Sequence, residues 1–342
     1  MTRIPSRPDN PGMRIGLAGA GRIGASHAAV LANSTGVDEL LVADADHARA
    51  REVADPLGAT AADDPDELLR SGVDALVIAT PTSTHAELIL AGVRAGVPVF
   101  CEKPVALDLD STVRVVDEVR HRNALVQIGF QRRFDAGYTA ARAAVAAGEL
   151  GTVHRVHAIT ADPAPPAAEY IPTSGGIFRD CHIHDFDMIR WVTGQEVLAV
   201  TALGANLGAA FFAEAGDVDT SVALLELSGG ALATLQGSRY NGAGYDVRME
   251  IAGATGTWAV GLDPRVPLRT SEGGLVVGDG GPWPNFWERF APAYAAELTA
   301  FLTVVADGGE SPCPVTEALA ALRIAEAADE SRRSGARVLV RS

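Results

Sequence analysis

Lysine is almost absent from this 342-residue chain. Of its 28 basic residues 27 are arginine, and Lys103 alone is lysine. Basic residues are also outnumbered, 28 against 43 Asp and Glu, which leaves a formal charge of −15. An acidic chain with no basic block lacks the clustered cations that hold phosphate backbones, so nucleic acid is excluded as a partner. Cysteine is scarce as well. Cys101, Cys181 and Cys313 are far apart and form no CxxC pair, which excludes a disulfide framework and a cysteine-based zinc cluster, and suits a reducing cytoplasm. No apolar run approaches the roughly 20 residues that a bilayer span needs, so no membrane partner is expected. Residues 1–12 hold no apolar stretch of the signal-peptide kind and read as a disordered tail.

What the chain does have is a regular alternation of short apolar runs and helical segments from Met13 onward. Strands are predicted at 13–18, 39–43, 75–79, 97–101 and 125–129, with helices at 22–33, 47–59, 65–69, 84–95 and 111–122. The run Ala75-Leu76-Val77-Ile78-Ala79 is apolar on both faces, as in a buried parallel strand. Strands that alternate with helices predict a doubly wound sheet over residues 13–131. After about Arg132 the pattern becomes β-rich, with strands at 153–160, 197–203, 221–227, 231–238, 247–252 and 257–260. Short glycine turns such as Ser228-Gly229-Gly230 point to a mainly antiparallel sheet, and helices at 290–305 and 315–332 close the chain. The fold expected is therefore α/β: an N-terminal Rossmann domain, then an α+β domain over 132–342 with a large open sheet. The Pro- and Ala-rich stretch 162–176 is long enough for a lid or a substrate-facing loop.

Gly19-Ala20-Gly21-Arg22-Ile23-Gly24 follows the first strand and opens the first helix, the context in which GxGxxG carries meaning. The first Gly permits a tight turn, the second lets the backbone approach a pyrophosphate, and the third lets helix pack on strand. Asp44 ends the second strand, 20 residues after Gly24, where a carboxylate accepts hydrogen bonds from an adenosine ribose. Asp46 lies beside it with no Arg between, so a 2′-phosphate would meet repulsion and NAD is expected over NADP.

In a chain that uses arginine nearly everywhere, the surviving lysine marks a place where the two cations are not exchangeable. Lys is a compact ammonium on a flexible stem, whereas Arg is a broad planar fork. Lys103 also stands just beyond the fourth predicted strand, in Cys101-Glu102-Lys103-Pro104, and open α/β sheets bind ligands at the carboxyl ends of their strands. A second group lies in Phe178-Arg179-Asp180-Cys181-His182-Ile183-His184-Asp185. A helix starting here would put Asp180 and His184 on one face as an i,i+4 pair, with His182 pointing elsewhere. An imidazole beside a carboxylate is the usual general base for an alcohol proton. Cys181, His182 and His184 diverge on a helix and have no fourth partner, so no metal is expected.

Together these motifs resemble the glucose-fructose oxidoreductase/inositol dehydrogenase (Gfo/Idh/MocA) family, over nearly the whole chain. The resemblance rests on the glycine loop at 19–24, Thr80-Pro81-Thr82-Ser83-Thr84-His85, Glu102-Lys103-Pro104, Gly129-Phe130-Gln131-Arg132-Arg133-Phe134-Asp135 and the Asp180/His184 segment. Gly244-Tyr245-Asp246 and Trp287-Glu288-Arg289-Phe290 look most like the inositol 2-dehydrogenases. The resemblance implies NAD-dependent, reversible oxidation of a secondary alcohol on a cyclic polyol or sugar. It implies a catalytic set of Lys103, Asp180 and His184, and cofactor contacts from Gly19, Gly21, Arg22, Ile23, Gly24, Asp44 and Lys103, with Thr80, Pro81, Thr82 and Glu102 lining the nicotinamide side. Arg133, Thr160, Asp162 and Tyr245 would join the catalytic three at the substrate, and the open sheet would assemble a homo-oligomer, a dimer or tetramer. Two departures bear on the substrate. Thr160-Ala161-Asp162-Pro163 stands where inositol dehydrogenases tend to carry His-Arg-Asn-Pro, and Asn241-Gly242-Ala243 is inserted before Gly244. Altered hydrogen-bonding groups predict a different hydroxyl pattern. The competing readings are a biosynthetic keto-sugar reductase and, from another class, a non-catalytic NAD sensor. The sensor predicts loss of the Lys or of the Asp/His pair, and all three residues are present.

Overall fold

The computed structural model describes residues 12–272 and 278–341. Apart from Gly12, the expected N-terminal tail lies outside the described residues. The chain divides into two compact units, one of residues up to Gln131 plus Tyr294–Leu319, the other Arg132–Ala293 plus Ala320 onward.

The first unit holds six parallel strands: β1 (Met13–Ala18), β2 (Val37–Ala43), β3 (Thr60–Ala62), β4 (Ala75–Ile78), β5 (Val99–Glu102) and β6 (Val126–Gly129). Their order is β3-β2-β1-β4-β5-β6. Helices α1 (Arg22–Ala32), α2 (His47–Ala54), α3 (Pro65–Arg70), α4 (His85–Ala95) and α5 (Leu109–Arg122) make the crossovers. Every residue of β4, β5 and β6 is buried, the condition that the two-faced apolar run in β4 anticipated. Asp46, Asp64 and Asp108 each cap a helix by accepting backbone N–H groups, so those three helices start where the sequence places a short acceptor. The order reverses between β1 and β4, the switch point at which such sheets take ligands.

Two features of this unit were not anticipated. The edge strand β3 is Thr-Ala-Ala, with little β propensity of its own, and exists through its pairing with β2. The segment Tyr294–Leu319 was assigned to a continuous second domain, yet Leu298, Phe301 and Leu302 are part of the first unit's core. There the Cys313 carbonyl accepts the Ile128 N–H at 2.9 Å, and Gln127 bridges to Pro314 beside the edge strand β6.

The second unit contains α6 (Ala136–Ala146), β7 (Val153–Ala161), α7 (Ile171–Ser174), α8 (Ile177–Asp180), α9 (Ile183–Thr193), β8 (Val197–Ala205), α10 (Phe211–Glu214), β9 (Thr220–Leu227), β10 (Leu232–Ser238), β11 (Asp246–Gly253) and β12 (Thr257–Val260). Helices α11 (Phe286–Asp307) and α12 (Val315–Ser334) contribute residues to both units, and β13 (Val338–Leu339) ends the series. The sheet runs β12-β11-β7-β10-β9-β8-β13 and is antiparallel except for β10 against β7. Its strands alternate cleanly, as in β9, where Ser221, Ala223, Leu225 and Leu227 are buried while Val222 and Leu224 face outward. On that outer face Leu203 pairs with Val222, and Leu224 with Thr234, in an exposed and partly apolar surface.

Candidate functional site

The glycine loop of the first unit separates two kinds of glycine. Gly19 has φ of +99°, and a Cβ there would sit 2.6 Å from the backbone of Ala79. A Cβ on Gly24 would lie 1.9 Å from the Gly19 carbonyl oxygen, so this glycine lets α1 pack against the loop. Gly21 is different, because nothing lies within 4 Å of the place its Cβ would occupy. Its absent side chain leaves room for something outside the fold. Gly21 also N-caps α1 without a side-chain acceptor, and the helix has no acidic residue in its first turn. No side chain caps this helix start, the arrangement in which a helix N-terminus takes an anion such as a dinucleotide phosphate.

Asp44 lies just past β2. Its Oδ2 accepts the Ala20 N–H at 2.7 Å and its Oδ1 the Asp46 N–H at 2.9 Å, which orients the carboxylate beside the glycine loop. Arg49 places Nη1 3.4 Å from Asp44 and Nη2 3.6 Å from Asp46, so the acidic pair is partly neutralised by an arginine three residues beyond Asp46.

Thr80 to Thr82 leave the end of β4, and Lys103 follows β5. His85, which the sequence reading quoted without giving it a role, spans both loops. One ring nitrogen lies 2.8 Å from the Thr80 carbonyl oxygen and the other 2.7 Å from that of Pro104. The hydroxyl of Thr84 adds a bond of 2.7 Å to that of Thr80. The loop beside Lys103 is therefore tied to the loop beside Thr80 within this unit.

In the second unit the expected single helix is two helices. Asp180 ends α8, Cys181 and His182 form a turn, and His184 lies in the first turn of α9, so the two residues are not on one unbroken helix. Asp180 takes its partners from elsewhere. Its Oδ1 accepts the Tyr170 hydroxyl at 2.9 Å and its Oδ2 accepts Arg239 Nη2 at 2.7 Å. The other arm of Arg239 reaches Asp162 at 3.3 Å, and the Cys181 thiol points at the same carboxylate. Burial pushes the Asp162 carboxyl up, with Arg239 opposing and the Asp180 charge adding. Burial also raises the Tyr170 and Tyr245 phenols, so both stay protonated donors through the neutral range. Two expected substrate-side residues, Asp162 and Asp180, are thus brought together by Arg239, with Tyr170 on Asp180, and the sequence reading missed both partners. Tyr170 falls in the loop anticipated to face substrate. Arg239 gave no signal, since its acidic partners are 59 and 77 residues away.

Two expected substrate contacts turn inward. Arg133 is buried, with Nε 2.9 Å and Nη2 2.5 Å from the two oxygens of Asp187, a forked pair. Thr160 is buried too, donating to Asp185 at 2.8 Å and accepting from Arg132 at 3.1 Å. His182, set aside in the sequence reading, is fully buried and bridges Asp185 Oδ2 at 2.9 Å and Ser221 Oγ at 2.8 Å. Arg132, Asp185, Thr160, His182 and Ser221 are one internal network.

Family profiles match both halves of the chain. One described as "Oxidoreductase family, NAD-binding Rossmann fold" covers residues 13–130, and one described as "GFO/IDH/MocA C-terminal domain" covers 138–259. The chain belongs to the Gfo/Idh/MocA oxidoreductase family. Its first unit is the family's NAD-binding Rossmann domain, and the open Gly21 position, the uncapped start of α1 and the oriented Asp44 fit that cofactor. Among family relatives, the chain is 39% identical over 329 residues to Myo-inositol dehydrogenase Hyg17 of Streptomyces leeuwenhoekii, covering 94% of this chain and 98% of that one. It is 38% identical to an inositol 2-dehydrogenase of Rhizobium meliloti, covering 93% and 96%. A solved myo-inositol dehydrogenase from Corynebacterium glutamicum superposes with a TM-score of 0.89 at 36% identity, over 97% of this chain and 99% of that one. A scyllo-inositol dehydrogenase from Lactobacillus casei, solved with NAD(H) and scyllo-inositol bound, superposes with a TM-score of 0.88 at 30% identity, over 97% and 100%.

Proposed function

We propose that this member of the family oxidises a secondary hydroxyl of a cyclic polyol or sugar, inositol-like in shape, to the ketone, reversibly and with NAD. What carries this reading is Asp180. It is a carboxylate with both oxygens engaged by donors, four residues before an imidazole, in a chain whose other unit binds NAD. Bound NAD supplies the hydride acceptor. His184 takes the hydroxyl proton, and positioned general-base assistance of this kind contributes about 10²–10⁴ in rate. Asp180 orients the reacting groups, and Arg239 and Tyr170 hold Asp180. Lys103 supplies an ammonium to the substrate oxygen and stabilises the negative charge that develops there. Asp162 and Tyr245 are the remaining polar candidates for the other hydroxyls, since Thr160 and Arg133 are committed internally.

Thr160 in the place of a family histidine favours a second reading in the same class. A site that lacks that donor fits a different ring, and the same residues run in reverse would reduce a keto-sugar. An absorbance screen at the NADH band over inositol isomers and sugars, run in both directions, separates the readings. Turnover of inositols supports the first, turnover of keto-sugars alone the second, and NAD binding with no turnover a sensor.

Among the described residues no helix is long and apolar enough to cross a membrane, and cytoplasmic residence is part of the proposal. So is self-association, as a dimer or homotetramer, through the outer face of the second sheet. Leu203, Leu224 and Leu232 lie on it, each about 60% exposed, and such a face suits a second copy.

A further inference from the structure

Within the first unit, three side chains remote in sequence meet out of reach of solvent. His27 lies on α1, Glu102 ends β5 and Glu297 belongs to α11. One ligand atom from each falls within 4.8 Å of the others. His27 Nε2 is 2.7 Å from Glu102 Oε1. Glu297 is 0% exposed and neither of its carboxylate oxygens has a hydrogen-bond partner. Gln127 donates to the backbone carbonyl of Glu297 at 2.9 Å, which holds that turn of helix but leaves the carboxylate unanswered. The surroundings are aromatic, with the rings of Phe100 and Tyr294 centred 5.7 and 6.0 Å from the His27 ring.

A carboxylate in such a place needs either a proton or a cation. Burial pushes the Glu297 carboxyl well up, and the neighbouring charge of Glu102 adds to the effect. Two carboxylates and a neutral imidazole carry two negative charges, which one divalent ion cancels. The donor set selects among ions, because imidazole suits the first-row transition metals and Zn2+, while Mg2+ and Ca2+ prefer oxygen alone.

We propose that His27, Glu102 and Glu297 form a buried site for a divalent ion of the Zn2+ type. The close His27–Glu102 pair is then the metal-free form, with a proton where the ion would sit. Three ligands leave one tetrahedral position, and because all three are buried that position falls to a water rather than to substrate, so the ion is structural. It would join the cofactor-binding helix α1 to the end of β5, one residue before Lys103, and to α11. No spacing rule reveals this set in the sequence, because its members are 75 and 195 residues apart.

Elemental analysis of the purified full-length protein, followed by chelation and titration with Zn2+ and with Co2+, tests the proposal. One ion per chain, a melting temperature that rises to saturation at one equivalent, and visible Co2+ d–d absorption are expected. Glu297→Gln keeps the volume and removes the charge, and should weaken uptake at least 100-fold while NADH still binds. His27→Gln is the second variant, should the first fail to fold. Wild-type protein that takes up neither ion, or uptake unchanged in the folded variants, overturns the site.

Discussion

Arg132 Nη1 and Asp185 Oδ1 are 2.6 Å apart, and their side chains are 2% and 1% exposed. Arg132 comes from the turn after β6 and Asp185 from the first turn of α9, so one ion pair anchors α9 to the start of the second unit. Breaking a buried pair strands a charge, which costs about 3–5 kcal/mol. Asp185→Ala should lower stability by about that much in urea unfolding, whereas replacing both partners by apolar residues should recover most of the loss. An unchanged midpoint in the single variant would refute the anchor.

The same pair predicts an acid limb. Burial raises the Asp185 carboxyl, but the Arg132 charge and the bonds from His182 and Thr160 outweigh it, and the net shift is downward. A carboxyl whose folded value is depressed stabilises the protein above its ordinary value near pH 4, and that contribution disappears as pH falls through the depressed one. Stability measured from pH 6 to pH 2 should fall steeply in the wild type and less steeply in a folded Asp185→Asn variant.

The two helix-side glycines should respond oppositely to alanine. Gly24→Ala drives a Cβ into the Gly19 carbonyl and should cost about 1–3 kcal/mol of stability. Gly21→Ala meets open space, so the melting temperature should hold while NADH binds about tenfold more weakly, a loss near 1.4 kcal/mol. Equal behaviour of the two variants would contradict the assignment of Gly21 to cofactor approach.

Asp44→Ala should weaken NAD binding by about 10- to 100-fold, as expected for losing hydrogen bonds to a charged acceptor. It also releases Arg49 from the nearer of its two carboxylates. The variant should therefore accept NADP better than the wild type does, because a guanidinium can then answer a 2′-phosphate. Kd values for both cofactors, measured by NAD(P)H fluorescence, check the direction.

Replacing His184 with Gln should lower kcat by about 10²–10⁴ with NADH affinity unchanged. Lys103→Arg should not rescue activity, because a planar fork does not fill the place of a compact ammonium. Arg239→Met should lower kcat as well, acting through Asp180, with NADH affinity again retained. Full activity in the His184 and Lys103 variants would remove the proposed mechanism.

Much of the first unit is legible in the sequence because its information is local. Alternation of apolar strand and amphipathic helix sets β1, β2, β4, β5 and β6, and lysine scarcity singles out Lys103. Where the sequence reading differs from the structure, the deciding contact is distant. Arg133 finds Asp187 across 54 residues and Thr160 finds Asp185 across 25, and no periodicity reports either. The assignment of Tyr294–Leu319 differs for the same kind of reason, since an amphipathic helix declares an apolar face without naming the core that receives it. The split between α8 and α9 could not be read because Cys181 and His182 are not helix breakers. Both keep right-handed helical angles, and only the hydrogen-bond pattern is interrupted.

His85 has a consequence for how such a chain can diversify. One imidazole is in contact with the carbonyls of Thr80 and Pro104, so lengthening either loop would pull on the other and on Lys103 between them. That stretch of the first unit resists insertion. Change there proceeds by substitution rather than by added residues.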